Sequence, residues 1–410
     1  MMINAPLGGT PGKDCGGFCK FCYFRGVDYD NLDSLSIGCR YCPPHQVGCD
    51  HCHEVINDIK NGFRPLSRVL SHLENILRWH EVLGTLDYKN LKVVTASMAD
   101  VTSYPQLFEL LTTLKDQGFL VHLGYTSGKC IKDGKTAEKL VSQGTDEINF
   151  SLVSMDPEIR RRWMGDRTPE ESIKALQTFC ESVEVNVSTV VIPGVITEED
   201  LFGTCTKLEE WGIKSFILSR FVNFKKEGLI YNNRPVIMGM KTQPFPEFQE
   251  LVKMVDDAFP FKVIGSPDTL YKLSKKENRR YLNNLPEVRG EATIITSQLS
   301  CKPLEEIFKV ISPDKVNVIG VDKEIGDLIT MEDLETVDLG MVKEKVILPG
   351  GALVHDRVAR KIFNKDGLKR KVIRGPTSLF YFDVEFLNQD SNLEHEFLNF
   401  NALIKKINSS

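Results

Sequence analysis

The N-terminal cysteines constrain this chain more than any other feature, because seven of the eleven in the sequence lie between residues 15 and 52. They form two groups with different spacing. The first is Cys15-x3-Cys19-x2-Cys22, and the second consists of two Cys-x2-Cys turns, Cys39 with Cys42 and Cys49 with Cys52. Thiolates bind iron–sulfur clusters, zinc and copper(I), and such spacing without an export signal indicates metal binding rather than disulfides.

The two groups predict two kinds of metal site. Four thiolates fill a tetrahedral site, so the second group is predicted to hold zinc or a mononuclear, rubredoxin-like iron, and the sequence does not choose between them. A second iron–sulfur cluster is the less favoured alternative. Its segment, residues 36–53, is too short for a core and is expected to depend on that metal for its shape. Three thiolates hold three irons of a cubane cluster and leave the fourth iron open, which suits chemistry better than structure.

Length and charge exclude several broad classes. A chain of 410 residues allows two or more domains, and a net charge of -5 gives no basic field that would favour nucleic acid or an anionic membrane. The start, MMINAPLGGT, lacks the basic and apolar regions of a signal peptide, and no apolar run approaches the length of a membrane helix. We expect a cytoplasmic protein.

Beyond residue 61 the hydrophobic pattern alternates between amphipathic helices and short apolar strands. The predicted strands are LKVVTASMAD, FLVHLGYTS, EINFSLVS, EVNVSTVVIPG and SFILSRFVNF. Repeated strand–helix units predict an α/β fold with a parallel sheet, here a partial (β/α) barrel over residues 1–260. Residues 261–410 are expected to form a smaller β-rich domain with strands ATIITSQ, DKVNVIGV, EKVILPGG and TSLFYFDVEF.

The first cysteine group, with Phe21 before its last cysteine and a strand–helix alternation after it, resembles the radical S-adenosylmethionine (SAM) enzymes. The resemblance implies that Cys15, Cys19 and Cys22 bind a 4Fe-4S cluster and that SAM chelates its open iron. One electron then cleaves SAM to a 5′-deoxyadenosyl radical, while the protein binds and orients the cofactors.

The same resemblance implies which residues bind SAM. Ser97, Met98 and Asp100 occupy the strand end where many members carry a Gly-Gly-Glu stretch that meets the amino group of SAM, and this chain departs from those glycines. Asn149 and Ser151 lie where a polar residue meets the ribose, and Val191 lies where an apolar strand end flanks the adenine. The alternative is that these polar side chains cap helices or satisfy the backbone.

Tyr23 follows the last cluster cysteine directly and is a candidate catalytic residue. Its phenol oxygen could reach the open iron, or control access to it, when SAM is absent. The alternative is an aromatic ring packed over the cluster loop.

The motif CRYCPPHQVGCDHC resembles the methanogenesis marker protein ten family. The three cluster cysteines and the later ATIITSQ and ILPGG stretches share this resemblance. That family implies a cobalamin-dependent radical SAM methyltransferase of a methanogenic archaeon. The implied reaction methylates the δ carbon of an arginine in the α subunit of methyl-coenzyme M reductase, giving 5-methylarginine. It requires a reducing electron donor. The implied cobalamin site is residues 261–410, which lack the Asp-x-His-x-x-Gly marker of common cobalamin modules; the alternative is a domain that caps the barrel or docks the partner.

A substrate guanidinium stays charged, so buried carboxylates should meet it. Glu147 and Asp156 are candidates, and solvated surface acids are the alternative reading. The run Arg160-Arg161-Arg162 is expected to be a solvated helix start, or else a contact for an acidic partner or a cofactor phosphate.

Two rival functions remain open at this point. One is a radical SAM enzyme that modifies peptides without cobalamin. The other is a non-enzymatic metal-knuckle scaffold, against which the three-cysteine group argues because a structural zinc requires a fourth ligand. The remaining cysteines are single: Cys180 and Cys205 are expected in the core, and Cys130 and Cys301 are expected as exposed thiols near loops.

Overall fold

The structure is a computed structural model that describes residues 1–28, 57–85, 91–131, 133–229, 231–232, 234–267, 271–376 and 391–409. The described residues divide into two compact units, the first within 1–28, 57–223 and 235–266 and the second within 224–234 and 267–409. Over these ranges no helix is both long and apolar enough to cross a membrane. The predicted metal loop, with Cys39, Cys42, Cys49 and Cys52, and the predicted strand TSLFYFDVEF lie outside the described residues.

In its described part the first unit is built on a seven-stranded sheet in which the strands follow one another in chain order. All neighbouring pairs are parallel. The strands are β1 (Met2–Gly8), β2 (Lys92–Ser97), β3 (Leu120–Thr126), β4 (Glu147–Ser151), β5 (Glu184–Val191), β6 (Ser215–Arg220) and β7 (Lys262–Ser266). Because every strand runs the same way, their carboxyl ends form one edge, which we call the ligand edge.

Helices connect successive strands of this sheet. They are Leu66–Val82, Leu107–Asp116, Gly134–Ser142, Pro157–Ile159 continuing as a π-helix over Arg160–Met164, Pro169–Cys180, Glu198–Glu210 and Phe245–Ala258. Strands β2 to β6 and the longer helices coincide with the apolar and amphipathic segments from which they were predicted. The predicted α/β class with a parallel sheet, consistent with a partial (β/α) barrel, is therefore confirmed.

The two faces of the first sheet differ in chemistry because successive side chains of a strand point to opposite faces. Phe150 and Phe216 are fully buried and lie on one face. Glu147, Asn149 and Ser151 alternate with Phe150 along β4 and therefore lie on the other face. The second face is therefore polar along β4.

Strands β1 and β7 were not part of the predicted barrel. The β1 segment contains Pro6, which cannot donate to a sheet ladder and is tolerated at an edge, and the register of β1 against β2 shifts between Pro6 and Gly8. This edge position explains why MINAPLG does not read as a strand. Strand β7 joins the first sheet although it lies beyond residue 260.

Within its described residues the second unit contains a four-stranded parallel sheet in the order β11-β10-β8-β9. Its strands are β8 (Ala292–Ser297), β9 (Val316–Val321), β10 (Lys345–Leu348) and β11 (Lys371–Arg374), and its helices are Gln298–Ile311, Met331–Leu334, Asp356–Phe363 and Ser391–Asn408. The smaller C-terminal sheet is confirmed. It carries more helix than the sequence suggested, since Pro303 inside the helix that follows β8 masks the helical pattern.

Candidate functional site

The three N-terminal cysteines lie on one loop, residues 9–26, which directly follows β1 and which we call the cysteine loop. Hydrogen bonds fix its path: Asp14 N donates to Thr10 O at 2.9 Å and Gly17 N donates to Gly12 O at 2.9 Å. Gly12 has φ +78°, and a Cβ atom there would lie 2.3 Å from Phe18. No larger residue fits this turn without moving that ring. The cysteine loop is thus curled tightly beside the ligand edge.

The three cysteine thiols are partly buried, and burial is the largest cause that raises their pKa values, to about 12 for Cys22. Negative charge on Cys19 or Cys15 also raises the pKa of Cys22, which indicates that the three sulfurs lie near one another. Over the described ranges, no three His, Cys, Asp or Glu side chains are placed to share a single metal ion. A cubane cluster binds each cysteine through a different iron. Neighbouring thiols that do not converge on one point therefore fit a cluster, whose irons would displace the thiol protons.

Lys129 connects the cysteine loop to two other elements. It lies just after β3, in residues 127–131, which we call the β3 loop. Its Nζ donates to Gly17 O at 2.8 Å, to Met164 O at 3.0 Å and to the Cys19 sulfur at 3.5 Å. One ammonium group thus contacts the cysteine loop twice and the end of the π-helix once.

Arg160 lies in the π-helix and is fully buried, with 0% of its surface exposed. Its guanidinium donates to Asp166 Oδ2 at 2.7 and 3.0 Å, to Leu152 O at 2.6 Å and to Ser127 O at 2.7 Å. The expectation of a solvated run is therefore wrong for Arg160, because its charge is neutralised inside the protein. Arg161 beside it is exposed and pairs with surface glutamates, as expected for a helix start.

Asp100, at the end of β2, joins the ends of two strands. Its Oδ1 accepts from Thr102 N at 3.0 Å and Thr102 Oγ1 at 2.6 Å, and its Oδ2 accepts from Ser127 N and Ser127 Oγ, both at 2.8 Å. Ser97, nearby on β2, donates to Gly8 O at 2.7 Å. Met98 N donates to the same carbonyl at 3.2 Å. These contacts tie the carboxyl ends of β1, β2 and β3 together.

The other predicted SAM-binding residues lie on β4 and β5. Asn149 is 7% exposed, and its Oδ1 accepts from Asn186 Nδ2 at 3.2 Å. Ser151 Oγ lies 3.3 Å from Ser188 Oγ. Val191 ends β5 and is 4% exposed. Asn149 and Ser151 share the polar face, and Ser151 and Val191 reach the ligand edge.

Residues 10–206, just under half of the chain, match the family model "Radical SAM superfamily". This span is a radical SAM domain. It contains the cysteine loop, β2 to β5 and all the predicted SAM-binding residues. The radical SAM domain implies a 4Fe-4S cluster and SAM as cofactors. No curated protein matches the chain significantly.

Several solved structures are similar to the chain. One is Streptococcus suis SuiB bound to precursor peptide SuiA, with 14% identity, 78% of this chain and 57% of that chain covered, and a TM-score of 0.42. Methylornithine synthase (PylB) has 10% identity, coverages of 78% and 71%, and a TM-score of 0.38. A radical SAM methyltransferase from Sphaerobacter thermophilus has 14% identity, coverages of 56% and 62%, and a TM-score of 0.37. The chain spans 50% to 57% of the length of the SuiB structures.

Within the radical SAM domain the four donors to Asp100 bear on its predicted role. An ionised carboxylate offers about four acceptor positions, and protein groups use as many. Asp100 therefore has little capacity left for the amino group of SAM and acts as the N-cap of Val101–Ser103. The backbone carbonyls of residues 97–99, at the same strand end, remain candidate acceptors for that amino group.

The remaining candidates of the radical SAM domain have different surroundings. Tyr23 is 55% exposed, and its ring centroid lies 4.8 Å from that of Phe24. Glu147 begins β4, at the edge opposite the cysteine loop, where it pairs with Lys92 and with Lys214 at 3.2 Å. Asp156 caps the helix that starts at Pro157. Glu147 is thus committed to ion pairs at the opposite edge, whereas Asp156 is exposed and accepts from Glu158 N and Ile159 N through Oδ1. As partners of a substrate guanidinium both stay predictions.

Two residues of the site were missed in the sequence. Lys129 carried no role there, and Cys130 was expected only as an exposed thiol. Cys130 accepts a hydrogen bond from Ser103 Oγ at 2.8 Å, and burial raises its pKa to about 11. A Cβ atom on Gly16 would lie 3.5 Å from its sulfur. Both residues follow the carboxyl end of β3, and that position is the signal that could have identified them.

Proposed function

We propose that this chain is a radical SAM methyltransferase that methylates the δ carbon of an arginine in the α subunit of methyl-coenzyme M reductase, with methylcobalamin as the methyl donor. The observation that carries the enzymatic part is the cysteine loop: three neighbouring thiols follow β1 at the ligand edge of a radical SAM domain. The arginine, the reductase and cobalamin rest on the similarity of the cysteine-rich N-terminus to the methanogenesis marker protein ten family.

The proposed substrate requires radical chemistry. The δ methylene of arginine has neither an acidic proton nor a lone pair, so it cannot attack the methyl group of SAM. When bound, the cluster and one SAM would supply a 5′-deoxyadenosyl radical that abstracts hydrogen, and methylcobalamin would supply the methyl group. A second SAM, with an electron from the reducing donor, would restore methylcobalamin and leave S-adenosylhomocysteine. The enzyme must hold the reacting atoms about 3–3.5 Å apart.

The residues of this chain have binding and positioning roles in that scheme. Cys15, Cys19 and Cys22 would hold the cluster, and the backbone at 97–99 would orient the amino group of SAM. Ser151 would meet its ribose, and Val191, the last residue of β5, would provide an apolar strand end for the adenine. Tyr23 would reach the open iron, or control access to it, when SAM is absent. The metal of Cys39, Cys42, Cys49 and Cys52, zinc or iron, would shape a loop that presents the substrate.

For cobalamin we propose the second unit. Chain order reverses around β8, since β9 lies on one side of it and β10 on the other. Ligands of open parallel sheets bind at the carboxyl ends of strands at such a switch point. The glycine-containing loop after β10 is held there by Arg374, which donates to Ala352 O at 2.7 Å and to Val354 O, and by Asp327, which accepts from Gly351 N at 2.9 Å.

The hydroxyl of Thr296 gives this crevice a polar group to offer. It lies near the end of β8, is 0% exposed, and makes no hydrogen bond in the described part of the chain. A buried polar atom without a partner is uncommon and is often satisfied by a ligand or water. This unsatisfied hydroxyl supports the proposal that a polar ligand, such as the side chains of a corrinoid, binds at the switch point.

Anaerobic reconstitution tests the proposal. The protein is supplied with iron, sulfide and hydroxocobalamin, then with SAM, a reductant and an arginine-containing peptide of the reductase α subunit. Mass spectrometry should show one added methyl group on arginine, with 5′-deoxyadenosine and S-adenosylhomocysteine as co-products. A peptide with lysine in place of that arginine, and a Cys19→Ala enzyme, serve as controls and should gain no methyl.

The outcomes separate the rival functions. Deoxyadenosine without methyl gain or retained cobalamin would point to a radical SAM enzyme that works without cobalamin. A colourless protein that binds no iron–sulfur cluster would revive the non-enzymatic scaffold.

The state of the substrate is part of the proposal. An arginine buried in the assembled reductase cannot enter an enclosed cavity, so we propose that the unfolded or partly assembled α subunit is modified. Equal methylation rates for the assembled complex and the isolated peptide would contradict this.

A further inference from the structure

We infer that Lys129 is a positioning residue that fixes the Cys19 ligand and makes the cluster easier to reduce. The inference rests on the proposed function, because it requires that Cys15, Cys19 and Cys22 hold a 4Fe-4S cluster. It concerns a residue to which neither the cysteine motif nor the family match gives a role.

The contacts of Lys129 account for its whole hydrogen-bonding capacity. A lysine ammonium has three N–H donors, and the acceptors are Gly17 O, Met164 O and the Cys19 sulfur at 2.8, 3.0 and 3.5 Å. The two carbonyls fix the position of Nζ between the cysteine loop and the π-helix. The third proton is thereby directed at the sulfur.

The backbone that carries Lys129 is itself held in place. Its neighbour Gly128 has φ +78°, and a Cβ atom there would lie 2.9 Å from the Phe150 ring and 3.0 Å from Ser172. Only glycine allows the β3 loop to approach the sheet so closely. On the other side Ser127 donates to Asp100 and accepts from Arg160. The ammonium is therefore presented from a rigid support.

In the described part of the chain the Lys129 ammonium donates a hydrogen bond directly to the Cys19 sulfur at 3.5 Å. The buried charge of Arg160 is instead paired with Asp166 at 2.7 Å. Reduction adds a negative charge to the cluster, so a hydrogen-bonded cation at one of its ligands favours the reduced state. Hydrogen bonds to ligand sulfurs and local charge are known to set cluster potentials.

The test measures the cluster itself, without SAM or substrate. Wild type, Lys129→Met, Lys129→Gln and Lys129→Arg are reconstituted with iron and sulfide, and their midpoint potentials are determined by EPR-monitored titration. Lys135→Met is the matched control, since it removes the same charge from an exposed lysine in the following helix. We expect Lys129→Met to lower the equilibrium constant for one-electron reduction of the cluster at least tenfold. This corresponds to a midpoint potential about 59 mV lower than that of wild type. For Lys129→Arg and Lys135→Met, the same equilibrium constant should stay within threefold of the wild-type value.

Each result bears on the inference. An unchanged potential in a cluster-loaded Lys129→Met protein would overturn it and leave the proposed function intact. If Lys129→Met loses its cluster, the neutral Lys129→Gln and the charged Lys129→Arg are compared instead. A midpoint potential that is lower than wild type in Lys129→Gln but not in Lys129→Arg supports the inference, and equal potentials in the two variants overturn it. A wild-type chain that binds no cluster would overturn the proposed function and the inference together.

Discussion

The buried ion pair between Arg160 and Asp166 gives the sharpest stability prediction. Both side chains are 0% exposed, and their closest atoms are 2.7 Å apart. Arg160→Met would leave the Asp166 carboxylate buried without its partner and would also remove the donors of Leu152 O and Ser127 O. Breaking a buried pair by removing one partner costs about 3–5 kcal/mol. We expect Arg160→Met and Asp166→Asn each to lower the free energy of unfolding of the first unit by that amount.

The double variant should cost much less than the sum of the two single variants, because neither charge is then left alone. Urea unfolding followed by tryptophan fluorescence is the assay, since Trp79, Trp163 and Trp211 all lie in the first unit. Slopes equal to that of wild type are needed before the midpoints are compared. Arg161→Met is the control: this neighbour is exposed and should cost at most about 1 kcal/mol. Equal losses for the two arginines, or strictly additive single variants, would refute the reasoning.

Three further predictions follow from the packing and the titration of single groups. Burial opposes ionisation of Glu147, but hydrogen bonds from Lys92 and Asn186 outweigh it and lower its pKa to about 2. Ionised Glu147 therefore stabilises the fold above about pH 4.5, and this stabilisation is lost as the pH falls toward 2. Glu147→Gln should lower the free energy of unfolding by roughly 1–3 kcal/mol at pH 7 and by less in acid, as measured from urea midpoints. Gly128→Ala should cost roughly 1–3 kcal/mol by the same assay, because its Cβ meets Phe150 at positive φ, whereas Gly194→Ala, with positive φ but open space, should cost about 1 kcal/mol. Burial raises the pKa of Glu396 to about 7 despite hydrogen bonds from two backbone N–H groups. The protonated carboxyl therefore contributes to folding stability in full below about pH 4.5, and this contribution is lost as the pH rises through 7. Glu396→Gln should flatten the pH dependence of thermal stability across that window, and an unchanged profile would contradict the assignment.

The main architecture could be predicted because it is recorded in local periodicity. Each strand–helix unit of the first sheet shows its own amphipathic pattern, and parallel pairing follows from the alternation. Strand β1 could not be identified in this way, since its edge position allows Pro6 and needs no regular alternation. In the second unit the helix Gln298–Ile311 was hidden by Pro303. Both misses occur where tertiary context permits residues that local rules exclude.

The cysteines of the site could be identified from spacing alone, but their surroundings could not. Lys129 contacts Cys19 and Gly17 across more than a hundred residues of sequence, and no local pattern encodes a contact of that range. Arg160 and Arg161 are adjacent and chemically identical, yet one is buried and the other exposed. The π-helix sets their directions, and a charge run does not reveal it.

Asp100 shows why the position of a residue along the sequence does not settle its role. A carboxylate at the end of β2 suggests a ligand for a cationic group, and the strand end is indeed part of the ligand edge. The structure instead fills both its oxygens with donors from Thr102 and Ser127. Through Ser127 it braces the β3 loop, which carries Lys129 to the cysteine loop. Asp100 therefore holds the β3 loop in place through Ser127, and we expect its removal to displace Lys129 first.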